Sequence, residues 1–167
     1  MKRTVCLLIS VFLIISFACV CGEELSAYDR IEMSFDFSDI TALLGEGIHE
    51  GDYVIFSGEA ACAFYESGRL RAKAVVFDAI TDIAPTAEIP LDNLRKLRQG
   101  AHIDEITTLF GCEGLEIMKI NLSDEEESGV RRVLAWQTEE KISVQALFEL
   151  DDGEWVLFAI VESPAPQ

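Results

Sequence analysis

The chain has 167 residues, 13 lysines and arginines against 30 aspartates and glutamates, and a net charge of −17. That length, with half the residues hydrophobic, suffices for one domain or two small repeats with a real core. The acidic balance argues against nucleic acid and anionic lipid heads as partners, and two histidines and five cysteines in no ligand spacing argue against a metal centre.

Residues 1–22 read as an export leader. Lys2 and Arg3 give a positive start, and an apolar run from Val5 to Phe17 is interrupted only by Ser10 and Ser16. Small residues and cysteines then lead to Gly22 and the acids Glu23 and Glu24, the three-part order of a signal peptide. The run is short for a bilayer, which needs roughly 20 apolar residues. Cys19 follows Ser16-Phe17-Ala18, a degenerate lipobox with serine where leucine is usual, and is the expected lipidation site. Cys21, preceded by bulky Val20, is the poorer candidate, and ordinary cleavage near Gly22 is the alternative. Loss of Lys2 and Arg3 leaves 11 cations against 30 acids, a mature charge of −19. Of the cysteines beyond the leader, Cys62 and Cys112, an oxidising compartment permits pairing if the Cα atoms lie within about 7 Å; two buried thiols are the equal alternative.

The first repeat is read over 23–80. Leu25–Ile31 has a poor helical pattern. Phe37, Ile40, Leu43 and Leu44 follow the spacing of one helix face, with Asp36 as N-cap, Asp39 as its box partner and Gly45 as the stop. Strands are predicted over 53–56, 60–65 and 70–77, separated by Ser57-Gly58-Glu59 and Glu66-Ser67-Gly68. Arg69, Arg71 and Lys73 alternate and predict a solvated basic stripe. Residues 81–90 are a linker; across 78–90, Pro85 and Pro90 exclude a regular element.

The second repeat is read over 91–162. Leu91–Gln99 has leucines at helical spacing and a stop at Gly100. Ile103, Ile106, Leu109 and Phe110 repeat the first-half face, with His102 as a weaker cap, Glu105 in the box position and Gly111 as the stop. Strands follow over 115–121, 131–138, 142–150 and 155–161, with Asp151-Asp152-Gly153 as a hairpin signal. Asp124–Glu127 is an acidic solvated loop without calcium-loop spacing, and 163–167 is a tail expected to fray. The fold class is therefore α+β: two tandem repeats, each a short helix pair on an antiparallel sheet, the first pair degenerate.

Leu94–Gly100, Ile103–Gly111, Trp136 and Ile142–Phe148 ahead of Asp152-Gly153 together resemble one repeat of the beta-lactamase inhibitory protein family. The resemblance spans most of 91–161 and, more weakly, 34–77. It implies a helix pair followed by an antiparallel sheet, with two repeats forming a concave sheet that grips a protein partner. Small envelope lipoproteins of the outer-membrane barrel-assembly machinery share this unit. The usual glycine and apolar residue ahead of the helix cap are kept at Gly100-Ala101 but not at Ser34-Phe35. The family's disulfide within each repeat is not reproduced, because Cys62 and Cys112 fall one per half at non-matching positions. The inhibitory activity is therefore not carried over.

No catalytic motif is present. Ser57-Gly58 and Ser67-Gly68 lack the nucleophile elbow, and there is no phosphate loop, His-Glu-x-x-His or dinucleotide fingerprint. Glu139-Glu140 and Asp151-Asp152 are neighbours whose side chains diverge on a strand. The expectation is no enzyme, no cofactor and no metal. The aromatics read as recognition residues: Phe64, Tyr65, Trp136 and Trp155 are the candidate binding face, where Trp and Tyr serve as anchors. The expected role is an exported, lipid-anchored or freely secreted module that binds an envelope or secreted protein, touching membrane only through a lipid. The alternatives are a structural accessory lipoprotein of an envelope assembly and, less favoured, a small hydrolase.

Overall fold

The computed structural model describes residues 26–76, 86–87, 94, 96–124, 129–138 and 142–164. Short hairpins dominate because turn residues recur between meander strands of three to eleven residues. The strands are β1 (Ile48–Glu50), β2 (Tyr53–Phe56), β3 (Ala60–Phe64), β4 (Leu70–Val75), β5 (Thr86–Ala87), β6 (Leu115–Asn121), β7 (Val130–Thr138), β8 (Ile142–Asp151) and β9 (Glu154–Pro164). Eight of them form one antiparallel meander in the order β1-β2-β3-β4-β6-β7-β8-β9, and β5 pairs with β7. The two halves of the chain meet where Ala72, Lys73 and Ala74 of β4 pair with Ile120, Lys119 and Met118 of β6. The β8–β9 hairpin closes through Asp152 and Gly153, both at positive φ (47° and 85°), the primed turn that matches strand twist.

Three helices lie among the described residues: α1 (Ala27–Arg30), α2 (Phe37–Leu44) and α3 (Ile103–Phe110). The architecture is α+β with sheet predominant. Asp36 and Asp39 form the reciprocal capping box at the start of α2. His102 starts α3 without a side-chain cap bond. Gly45 and Gly111 end these helices at φ 85° and 75°.

Cross-strand register sorts the side chains between two faces. On the helix-covered face, Ile40 of α2 packs with Val54, Phe56, Cys62 and Leu70, and Ala27, Tyr28 and Ile31 complete that cluster. Ile106 and Phe110 of α3 pack with Leu134, Trp136, Val144, Ala146, Phe148 and Leu157. The opposite face carries a third cluster, centred on Ala74, Met118, Ile120, Val133 and Ala135, to which no residue of α1, α2 or α3 belongs.

Several expectations need correction. The helix pair is a single turn (α1) plus α2 in the first half. In the second, Leu94 is helical, Lys96–Gly100 turns, and the rest of Leu91–Gln99 lies outside the described residues. Between Pro85 and Pro90 the structure places β5, which pairs in parallel with Gln137 and Thr138; Thr86 and Ala87 keep the N–H groups that proline lacks. Ile48–Glu50 forms an edge strand that its exposed, polar composition did not signal. Ser163 and Pro164, expected to fray, pair with Ser143 and Ile142 at the end of β9; 165–167 lie outside the described residues.

The basic stripe is also absent. Ala63 pairs with Ala72 and Phe64 with Leu70, so Arg71 is the extra residue of a bulge and the alternation breaks there. Arg71 is exposed near the Tyr65 ring, and Arg69 donates to the Asp124 carbonyl. Lys73 points inward, 5% exposed, and its Nζ donates to the carbonyls of Tyr28 (2.9 Å) and Ile31 (2.8 Å) above the Tyr28 ring. It thereby satisfies the Ile31 carbonyl just past α1 and adds a second donor to the Tyr28 carbonyl, which already accepts from Ile31 N. Burial pulls the Lys73 pKa below its usual value.

Candidate functional site

The two meanders finish in the same way. In β4, Leu70 pairs with Phe64, Arg71 is the bulged residue, and Ala72 pairs with Ala63. In β9, Leu157 pairs with Phe148, Phe158 is the bulged residue, and Ala159 pairs with Leu147. The chain leading into each long helix hydrogen-bonds to the leucine of that strand. Leu70 N donates to Phe35 O at 3.0 Å, and Leu157 N donates to Ala101 O at 2.8 Å. Asp36 bridges Arg69 beside the first pairing, and His102 bridges Val156 beside the second.

Past these leucines the two strands differ in one respect. The outer edge of β4 at Ala72–Ala74 is occupied by β6. The corresponding edge of β9, at Ala159–Val161, is the border of the sheet. Among the described residues its outer neighbours are Gly100–His102 alone, at the Val156–Leu157 end. Val161 is 57% exposed there, on the helix-free side with Gln145 and Ala159. The other border, β1, is three residues long, and Ile48 on it is 68% exposed. A bare sheet edge presents unpaired N–H and C=O groups that a further strand can satisfy.

The four aromatics of the sequence reading are not gathered on one surface. Trp136 is fully buried: its ring meets Phe110 edge-on at 5.0 Å, and Nε1 donates to Cys112 O at 3.1 Å. It is a core residue with no surface to offer a partner. Trp155 is half-buried on the helix-covered face, with the Arg132 guanidinium 4.8 Å from its ring. Phe64 packs at the margin of the first cluster, edge-on to Phe37 at 5.3 Å. Tyr65 donates its hydroxyl to Asn121 O at 2.6 Å, tying the end of β3 to β6; partial burial raises its pKa. The lipidation candidates Cys19 and Cys21 lie outside the described residues.

Cys62 and Cys112 are not joined to each other by a disulfide. Cys62 is buried in the first cluster, and desolvation pushes its thiol up to about 12, which makes it inert as a nucleophile at neutral pH. Cys112 packs against the second cluster. His102 Nδ1 lies 2.8 Å from Glu154 Oε2 at the surface, whereas His49 meets Phe37 near the β1 edge. No group of three or more His, Cys, Asp or Glu able to hold a metal ion occurs among the described residues. No helix among them is long and apolar enough to cross a membrane.

The β9 edge escaped the sequence reading because its signal is a tripeptide: Leu70-Arg71-Ala72 against Leu157-Phe158-Ala159. Only register reveals that both middle residues are bulged. No protein-family model matches the chain, and a search of curated proteins gave no match.

Proposed function

We propose that this chain is an exported, non-catalytic protein-binding module that captures an extended segment of an envelope or secreted protein along β9. The observation that supports this reading is the open edge at Ala159–Val161, equivalent to the edge of β4 that already accepts β6 within the molecule. The same equivalence supports two tandem repeats, α2 with β1–β4 and α3 with β6–β9, each with a preceding helix. That organisation agrees with the resemblance to the beta-lactamase inhibitory protein family. Export through residues 1–22 and lipid attachment at Cys19 complete the proposal, and a mature protein that begins beyond Cys21 without lipid mass would remove the anchor from it.

The test uses tagged residues 23–167 to capture a partner from envelope extract, followed by hydrogen exchange on the complex. Protection of the Ala159–Ser163 amides on binding, with capture lost in Val161→Lys and kept in Phe64→Ala and Tyr65→Ala, is the expected result. Lysine at an edge strand is a natural block to strand addition. Capture that ignores Val161→Lys and leaves those amides unprotected refutes the edge as the site.

A further inference from the structure

A row of cross-strand neighbours runs over the helix-covered face from Cys62 through Lys73, Lys119 and Arg132 to Phe148. Three consecutive members of this row are cations, in a chain with 13 lysines and arginines and a net charge of −17. Side chains directly opposite on neighbouring strands sit roughly 5 Å apart at Cβ, and like charges in that relation destabilise a sheet. The ends of the row belong to the two clusters, Cys62 to the first and Phe148 to the second, so the three cations stand between them.

The counter-charge is thin. Glu116 Oε2 lies 3.4 Å from Lys119 Nζ and 3.9 Å from Arg132 Nη1, and its Oε1 already accepts the Tyr28 hydroxyl at 2.9 Å. Glu113 and Asp29 act on Arg132 and Lys73 only at a distance, and both are exposed. The Arg132 side chain is 23% exposed and rests against Trp155, yet its Nε is buried with no acceptor. An unpaired buried donor is costly and rare. Lys119, at 29% exposure, is open to solvent beside it.

We propose that Lys119 and Arg132, backed by Lys73, form a binding cleft for a compact oxyanion of the phosphate or carboxylate class. The ligand adds acceptors beside the single Glu116 carboxylate that the guanidinium and ammonium share, and it relieves the repulsion along the row. Arginine presents a planar fork of donors that matches such oxyanions, and lysine adds a point charge. The cleft lies on the face opposite the exposed Val161 side chain, so it stands independently of strand capture at β9.

Thermal unfolding of the processed chain isolated from the producing cell tests it. Inorganic phosphate, acetate and chloride are compared at matched ionic strength. At ten times its dissociation constant, the bound oxyanion raises the midpoint by about 4 °C over chloride. A larger rise with phosphate assigns a phosphoryl source, and an equal rise with acetate assigns a carboxylate. Lys119→Gln and Arg132→Gln each abolish the increment, and Arg71→Gln keeps it. Without added oxyanion, Lys119→Gln unfolds no earlier than the parent, because it removes repulsion along with the Glu116 pair; a purely structural lysine would lower the midpoint. If Arg132→Gln fails to fold, Lys119→Gln decides alone. A chloride effect equal to both oxyanions, or an increment that survives Lys119→Gln, overturns the proposal.

Discussion

The two halves of the sheet solve one packing problem with different materials. The second half uses long strands, seven to eleven residues in β6–β9, and large side chains: Trp136, Phe110 and Phe148 are all but fully buried. The first half uses strands of three to six residues and smaller side chains on the helix-covered face: by the register of the two bulges, Ala60 stands where the second half has Val144, and Phe56 where it has Trp136. Its cluster is completed from outside the sheet by α1 and the residue after it: Tyr28 and Ile31 are each 2% exposed. Long strands carry enough apolar area to bury one helix firmly; short alanine-rich strands leave room that an additional segment must fill. The single turn of α1 could not hold itself in water, since isolated helices of that length are marginal. It is held by the Lys73 bonds and by burial.

The comparison can be broken most forcefully at Trp136. Trp136→Ala should cost about 4 kcal/mol in denaturant unfolding, the range for a buried aromatic truncated to alanine. Because β4 and β6 join the halves, one cooperative transition is expected; two transitions would separate the halves as independent units. The glycines after each long helix come next. A methyl at Gly114 would lie 2.5 Å from the Trp136 ring, and Gly114→Ala should cost about 2 kcal/mol through overpacking. Gly47→Ala meets Val54 Cγ1, with the Ile55 carbonyl oxygen and the Phe56 ring each 3.0 Å away, and should cost less because a single atom stands closer than 3.0 Å there, against three indole atoms at Gly114. A reversed order would place the tighter core in the first half. Tyr65→Phe removes the bond to Asn121 O and should cost about 1 kcal/mol, with faster amide exchange at the β4–β6 junction.

The smallest effects sit at the caps. Asp36 accepts from Ser38 Oγ and from the Asp39 amide, which holds its carboxyl below the usual carboxylate range. A carboxylate with a depressed folded pKa stabilises above its unfolded value, near pH 4, and loses that contribution as pH falls through the folded one. The stability lost between pH 5 and pH 2 should therefore shrink in Asp36→Asn. His102 contributes no cap bond, so His102→Ser should raise the midpoint slightly by supplying one. No rise would show that the Glu154 contact already compensates.

Much of this was legible in advance where local chemistry decides. The box at Asp36, the stops at Gly45 and Gly111, the Asp152-Gly153 turn and the strands at 53–56 and 115–121 follow from spacing and turn residues alone. What escaped depends on partners distant in sequence. Lys73 reads as one tooth of a surface stripe, and only the bulge at Arg71 and the carbonyls of α1 turn it inward. Trp136 reads as part of a binding face, and its place in the core emerges only when Phe110 and the Cys112 carbonyl are seen around it. The charged row needs the pairing of β4 with β6 and of β6 with β7 before its three cations become neighbours.

The Lys73 bonds have a mechanical side. Tension on the chain ahead of Ser26 reaches α1 first, and α1 hands it on through Glu59 at the β2–β3 turn, Lys73 Nζ of β4 and Glu116 of β6, within the sheet and not at a border. Load entering there is shared between β3 and β6, so the hairpins on either side need not peel one by one. With the proposed amino-terminal anchor in place, the domain would be held at its centre and the β9 border left unloaded.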